Sequence, residues 1–191
     1  MTKKWVQRQA KDIFVKRKGE SKLFKEYYAR SAFKLIEMNE KYKLFKPNMK
    51  VVDFGCAPGS WSQVLVEQKC NVVGYDLLDC KLVHPSFIFY KKDILKIESN
   101  LNCDFIVSDM SPNLSGNKIR DISNNIELNL MLLSHIQSNT KGLICKAFAS
   151  PLQNEFEAQL KLSFNKIHKF KPKSSRSEST EYYYVAKRVG H

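Results

Sequence analysis

Val51-Val52-Asp53-Phe54-Gly55-Cys56-Ala57-Pro58-Gly59-Ser60-Trp61 is the stretch on which the fold turns. A short apolar run closes on Gly55 and enters a segment with helical signals. It reads as a buried strand (Val51–Gly55), a tight glycine turn and a helix start. Gly55 lets the chain reverse, and Gly59 lets backbone approach a ligand closely. Ser60 followed by Gln63 predicts a capping box that opens a helix through about Gln68. Such a helix start offers free N–H groups and a positive dipole end to a carboxylate or phosphate. Asp76 ends the next apolar run, Val72–Asp76, where a carboxylate can grip both hydroxyls of a ribose.

Outward from this unit the pattern repeats. Phe87–Tyr90, Asp104–Asp109 and Leu143–Phe148 read as further strands. Phe164–Phe170 and Tyr182–Lys187 read as two closing strands joined by a Ser- and Lys-rich turn. Ser31–Leu44 is amphipathic, and Ile122, Ile126, Leu130 and Leu133 recur at helical spacing with Gly142 as a stop. Ser150-Pro151-Leu152-Gln153 combines an N-cap, a proline at the first helical position and a box residue. Strands alternating with helices mean an open, mostly parallel α/β sheet, whose ligands bind at the carboxyl ends of the strands.

The glycine loop limits the ligand. A dinucleotide site expects G-x-G-x-x-G, but Ala57 and Ser60 stand at the second and third glycine positions. Ala57 and Pro58 occupy the place where a pyrophosphate needs bare backbone. A nucleoside without pyrophosphate fits better, and S-adenosylmethionine is the common one. Its amino-acid end suits the helix start, its ribose Asp76, and its adenine amino group Asp93. A dinucleotide oxidoreductase and a purely structural turn remain the alternatives on spacing alone.

Charge points to a partner. The 191 residues carry 32 Lys and Arg against 19 Asp and Glu, a net +13 that calls for a polyanion, nucleic acid before an anionic membrane surface. No apolar run is long enough to span a bilayer. Met1–Arg17 has scattered charges and no apolar h-region, so it is not a secretory signal; with Asp12 as its one acidic residue it stays compatible with an organellar transit segment. The five cysteines form no C-x-x-C and no metal-ligand spacing, which suggests reduced thiols and no metal site. The length suits one domain, a basic segment over 1–30 followed by a core over 31–191. Basic residues crowd both ends, and Lys3, Lys4, Arg8, Lys11, Arg17, Arg30, Lys171, Lys173 and Arg176 are the candidate nucleic-acid contacts.

Four charged residues lie at or near predicted strand ends or on the first helix. Asp109 follows the fourth strand, in Ser108-Asp109-Met110-Ser111-Pro112-Asn113. Lys146 sits inside the apolar strand Leu143–Phe148, where an unpaired ammonium is costly. Glu181 opens the last strand. Lys34 lies away from the face made by Ala32, Leu35 and Ile36, and alone reads as a solvated surface lysine.

Taken together these residues match a family. The chain resembles the FtsJ-type (RrmJ-like) RNA ribose 2′-O-methyltransferases from Trp5 to Arg188. The likeness runs through Arg30-Ser31-Ala32-Phe33-Lys34-Leu35, Asp53 through Gln63, Tyr75-Asp76-Leu77-Leu78, Ser108 through Asn113, Lys146-Ala147-Phe148, and Lys171 through Arg176 with Glu181. The resemblance implies a Rossmann-like methyltransferase fold with a seven-stranded, mostly parallel sheet and helices on both faces. It implies a catalytic tetrad of Lys34, Asp109, Lys146 and Glu181. It also implies an S-adenosylmethionine site made from Gly55, Cys56, Ala57, Pro58, Gly59, Trp61, Asp76, Leu77, Asp93, Ile94 and Asp109. Cys56 stands where Ala is usual, and Asp93 follows Lys92 where Gly is more usual.

The wording APGSWSQ, LFKP and SSRSEST-E is closest to mitochondrial ribosomal-RNA members. It implies methylation of a uridine ribose in large-subunit ribosomal RNA, free or within the subunit or its precursor, by a monomer. It places the protein in a mitochondrion or other organelle, with the cytoplasm as second compartment; the likeness already begins at Trp5, which leaves few residues for a transit peptide. The alternatives are a tRNA anticodon-loop or cap 2′-O-methyltransferase and a non-catalytic RNA-binding assembly factor. A free lysine has a pKa of about 10.4. Lys146 as a base therefore requires depression by burial and Lys34 against the opposite pull of Asp109 and Glu181.

Overall fold

The computed structural model describes residues 23–97, 101–112, 115–176 and 179–189. Lys3, Lys4, Arg8, Lys11 and Arg17 lie outside the described residues. The helices are α1 (Ser31–Tyr42), α2 (Ser60–Glu67), α3 (Lys118–Ser134) and α4 (Asn154–Ser163). The strands are β1 (Lys50–Phe54), β2 (Asn71–Asp76), β3 (Phe87–Lys91), β4 (Phe105–Ser108), β5 (Gly142–Phe148), β6 (Lys166–Phe170) and β7 (Glu181–Lys187). They form a seven-stranded sheet in the order β3-β2-β1-β4-β5-β7-β6. The first five strands run parallel, and β7 pairs antiparallel with both β5 and β6. The chain order reverses beside β1, between β2 and β4, so the crevice for a ligand opens at the ends of these strands.

The central strands are apolar on both sides because helices cover both faces. Val51, Val107, Ile144, Tyr183 and Val185 point into one core with Ala32, Leu35 and Met38 of α1 and Trp61, Val64 and Leu65 of α2. Their neighbours Val52, Ile106, Leu143, Cys145, Tyr184 and Ala186 point into the other, with Ile122, Ile126 and Leu132 of α3 and Phe156 and Leu160 of α4. Successive side chains of a strand alternate between faces, so one sequence run supplies both layers.

Three local expectations need correction. Helix α2 is not entered through a capping box. Gly59 is its N-cap at φ 114°, without a side-chain cap. Gln63 instead accepts the Tyr28 N–H at 2.9 Å and donates to the Glu26 carbonyl at 3.1 Å, so it binds the segment leading into α1. Gly142 is not a helix stop. Helix α3 ends at Ser134, and Gly142 opens β5, where a Cβ would lie 2.3 Å from Phe105 Cε2 and 2.9 Å from the Ala186 carbonyl. After Ser150 the cap holds, since its side chain accepts the Leu152 N–H. However, Gln153 donates to the Phe148 carbonyl, and the first turn is 3₁₀ before α4 begins.

The Gly142 geometry predicts a measurable cost. Phe105 is buried and cannot move aside freely, so Gly142→Ala should destabilise the fold by about 2 kcal/mol. Thermal denaturation of the variant checks this, and an unchanged Tm would mean that β4 and β5 pack less tightly than described.

Candidate active site

Register assembles the four charged residues. Ser108 at the end of β4 pairs with Cys145, which sets Asp109 beside Lys146. Across the antiparallel seam Lys146 faces Tyr183, and Phe148 faces Glu181. Glu181 and Tyr183 are two apart on β7 and share a face. That face looks toward α1, which contributes Lys34.

Two ion pairs result. Lys34 Nζ donates to Glu181 Oε1 at 2.5 Å, and Lys146 Nζ donates to Asp109 at Oδ1 (3.1 Å) and at the backbone carbonyl (2.6 Å). The Tyr183 hydroxyl joins them, donating to Asp109 Oδ1 at 2.6 Å and accepting from Lys34 Nζ at 3.1 Å. Lys34 is therefore not a solvated surface lysine. It is buried like Lys146, because its helix face meets β7, and the carboxylate there compensates the charge. Burial works to raise the Glu181 pKa, but the charge and hydrogen bond of Lys34, the Ser175 hydroxyl and the charge of Lys146 together hold it below the usual carboxylate range. Burial, reinforced by the Asp109 and Glu181 charges, keeps the Tyr183 phenol well above its ordinary value, so it remains a proton donor to Asp109.

A cavity of about 400 Å³ opens at the ends of β1, β2 and β4. Gly55, Asp76, Leu77, Asp93, Ile94 and Asp109 are in its wall. Asp76 is held by backbone on both oxygens, with Oδ2 accepting the Ala57 N–H and Oδ1 the Leu78 N–H, each at 2.8 Å. Each oxygen keeps a further lone pair for a ribose hydroxyl. Asp93 caps a 3₁₀ turn through Oδ1, which accepts the Leu95 N–H. Two carboxylates and an apolar wall including Leu77 and Ile94 suit a nucleoside.

The other members of the expected cofactor set lie outside this lining. Cys56 is buried against Gly74, and the Ala57 N–H is spent on Asp76. The Pro58 carbonyl accepts the Lys81 N–H. A Cβ on Gly59 would meet Leu82 and Cys80, so protein packing and a positive φ by themselves require glycine here. Trp61 is buried, donates its indole N–H to the Ser31 carbonyl at 2.8 Å and packs on the Tyr183 ring. Its part is to hold α1 and β7 together beneath the ion pairs.

A second cavity, of about 440 Å³, adjoins the ion pairs on the other side, with Arg30, Lys34, Arg176 and Glu181 in its wall. Arg30 donates to the Ser174 carbonyl at 2.5 Å. The exposed Lys171 donates to the carbonyls of Ser179 and Glu181, which ties it to the loop and leaves one hydrogen-bond direction of its ammonium open. The Lys173 side chain is exposed, and its backbone N–H is held by Glu37.

Comparison with known proteins fits this arrangement. The sequence model of the FtsJ-like methyltransferases matches residues 27–189. The chain belongs to the FtsJ-like methyltransferase family. It is 35% identical over 200 residues to ribosomal RNA large subunit methyltransferase E of Francisella tularensis, a match covering 97% of this chain and 95% of that protein. The same enzyme of Francisella philomiragia is 35% identical over the same span. Among solved structures, a provisionally described ribosomal RNA methyltransferase of Plasmodium falciparum superposes with a TM-score of 0.73 at 32% identity, covering 85% of this chain and 98% of that one.

Sequence reading of this FtsJ-like methyltransferase missed several residues. Tyr183 read as one aromatic in a closing strand, and only the β5–β7 register reveals its hydroxyl as the bridge. Asn125 and Asn129 of α3 both donate to the Lys146 carbonyl, at 3.2 and 2.9 Å, and fix the strand that carries the lysine. Their signal was polar residues spaced four apart, Asp121, Asn125 and Asn129, beside the apolar stripe of Ile122 and Ile126.

Asp53 is buried at the end of β1, accepts from Ser62 through Oδ2 and has no partner for Oδ1 among the described residues. Burial pushes its carboxyl up to about 8, against the Ser62 hydrogen bond and with help from Cys80, Asp109 and Asp76. The folded state thus holds this proton to higher pH than the unfolded chain does. Stability from this group is complete at low pH and declines as pH rises from the unfolded value through about 8. Asp53→Asn should flatten that decline, so that its stabilising effect is larger near pH 9 than near pH 5 by roughly 4 kcal/mol. Denaturant titrations at the two pH values check it; equal effects at both would mean that the carboxyl is ionised throughout.

Proposed function

We propose that this chain is an S-adenosylmethionine-dependent RNA 2′-O-methyltransferase that methylates a uridine ribose in large-subunit ribosomal RNA. One observation carries the reading: the Lys34–Glu181 and Lys146–Asp109 pairs, bridged by Tyr183, stand between two cavities. Asp109 lines the nucleoside-type cavity, and Lys34 and Glu181 line the basic one. A methyl passed directly from a cofactor in the first cavity to an acceptor beside the second would be transferred next to these residues.

S-adenosylmethionine, when bound, supplies an electrophilic methyl on a sulfonium. Asp76 would hold its ribose and Asp93 its adenine amino group. Lys146 has two hydrogen-bond directions committed to Asp109, which leaves one for the acceptor oxygen. It would hold the 2′-hydroxyl while that oxygen takes the methyl; the methyl–sulfur bond breaks to leave the neutral thioether, and the hydroxyl proton is lost to water. Lys34 and Glu181 keep Tyr183 and Asp109 in place, and alignment of the two reactants supplies much of the rate. The large-subunit substrate is supported by the names of the similar enzymes, and the basic excess suits RNA of either free or assembled form. An organellar compartment is supported by the family wording of the APGSWSQ and SSRSEST segments.

The test is methyl transfer from labelled S-adenosylmethionine to large ribosomal subunits from cells lacking the protein, followed by mapping of the modified nucleotide. A single 2′-O-methyluridine in the large-subunit RNA is expected. Label confined to tRNA would overturn the substrate, and no label in any RNA would overturn the activity.

A further inference from the structure

The basic cavity has a composition of its own. Arg30, Lys34 and Arg176 face the single carboxylate of Glu181 among its described lining residues, and the rest of the wall is serine: Ser174 and Ser179 at the β6–β7 connection, with Ser31 at the start of α1. Among the described residues no aromatic or aliphatic side chain lines it, which does not suit a stacked base. Guanidinium groups and hydroxyls match phosphate oxygens.

The wall is also built rather than accidental. Glu37 accepts the backbone N–H groups of Lys173 and Ser174 at 2.7 and 2.9 Å, and Arg30 holds the Ser174 carbonyl. Lys171 ties down the far end of the same loop through the Glu181 carbonyl at 2.8 Å. Ser174 is fully buried, and its Oγ has no hydrogen-bond partner among the described residues, although the residue lines the cavity. A buried hydroxyl without a partner points to a ligand group that completes it.

We infer that this cavity binds the phosphodiester on the 3′ side of the methylated ribose, with Arg176 at its mouth. The inference rests on the ribose 2′-O-methylation proposed above. In a ribonucleotide the 3′-phosphate is carried by the carbon next to the one bearing the 2′-hydroxyl, whereas the 5′-phosphate is attached at the far end of the sugar. A hydroxyl held at Lys146 therefore brings the 3′-phosphate to the nearest anion site, and the Lys34–Glu181 wall makes this cavity that site. Arg30 is committed to the loop backbone, and Lys34 to Glu181 and Tyr183. The exposed Arg176 is the guanidinium that reads the phosphate.

Two measurements test it. In the presence of S-adenosylhomocysteine, uridine 3′-monophosphate should bind at least about fivefold tighter than uridine 5′-monophosphate by calorimetry, and Arg176→Ala should remove the difference. The two probes carry the same charge, so a general basic attraction predicts no preference. Equal binding, no detectable binding of either, or a 3′ preference that survives Arg176→Ala overturns the inference. On ribosomal subunits Arg176→Ala should raise KM about tenfold and lower kcat less than threefold, with Arg176→Lys recovering part of the loss. A fall in kcat alone overturns it. A 3′ preference in the nucleotide assay without methylation of ribosomal RNA would remove the proposed substrate and leave the cavity assignment standing.

Discussion

Lys146→Ala should lower methyl transfer by at least about a thousandfold while S-adenosylmethionine binds with nearly unchanged affinity. The lysine is absent from the described lining of the nucleoside-type cavity, so its loss leaves Asp76 and Asp93 in place. It does strand Asp109. That carboxylate loses the ammonium at Oδ1 and on its own carbonyl, and keeps only the Tyr183 hydroxyl. An acceptor hydroxyl then meets an uncompensated anion and has no cation to steady its oxygen. Tyr183→Phe separates positioning from direct contact. It keeps both ion pairs and deletes only the bridge, so kcat should fall about tenfold with KM nearly constant. Isothermal titration for cofactor affinity and single-turnover rates for transfer distinguish the cases. Lys146→Ala with full activity would remove the lysine from the reaction. Tyr183→Phe with as large a loss as Lys146→Ala would mean that the phenol touches the acceptor itself.

The sheet was readable because its strands are short, apolar and spaced by turn signals, and because burial on both faces leaves runs such as Leu143–Cys145 uninterrupted. Lys146 announced itself by being the charged residue in such a run. Lys34 did not, for its helical spacing describes only its own helix, while its burial depends on Glu181 147 residues away. Gln63 shows the same limit in reverse: a local rule assigned it to a cap, but the segment at Glu26–Tyr28 takes its amide. Gly59 shows the limit again. A positive φ and a glycine requirement are visible in sequence, yet whether ligand or protein fills the space where a Cβ would stand is a tertiary fact, and here it is Cys80 and Leu82.

Asp76→Ala should weaken S-adenosylmethionine binding by at least about a hundredfold, through two effects that add. The ribose loses its carboxylate, and the Ala57 and Leu78 N–H groups lose their acceptor, so the loop after β1 loses one of its ties to the loop after β2. The second effect exists without ligand and should lower the stability of the free protein by about 1 kcal/mol. Asp76→Asn divides them: its single carbonyl oxygen can keep one of the two backbone bonds, while the amide turns a donor toward the other N–H. It should fall between wild type and alanine in affinity, and close to alanine in stability. Calorimetry for affinity and thermal denaturation of the ligand-free protein read the two effects separately. If Asp76→Ala bound the cofactor within about threefold of wild type while losing stability, the residue would be a loop clasp only. The ribose would then have to be held by Asp93, whose Oδ1 already caps its own turn.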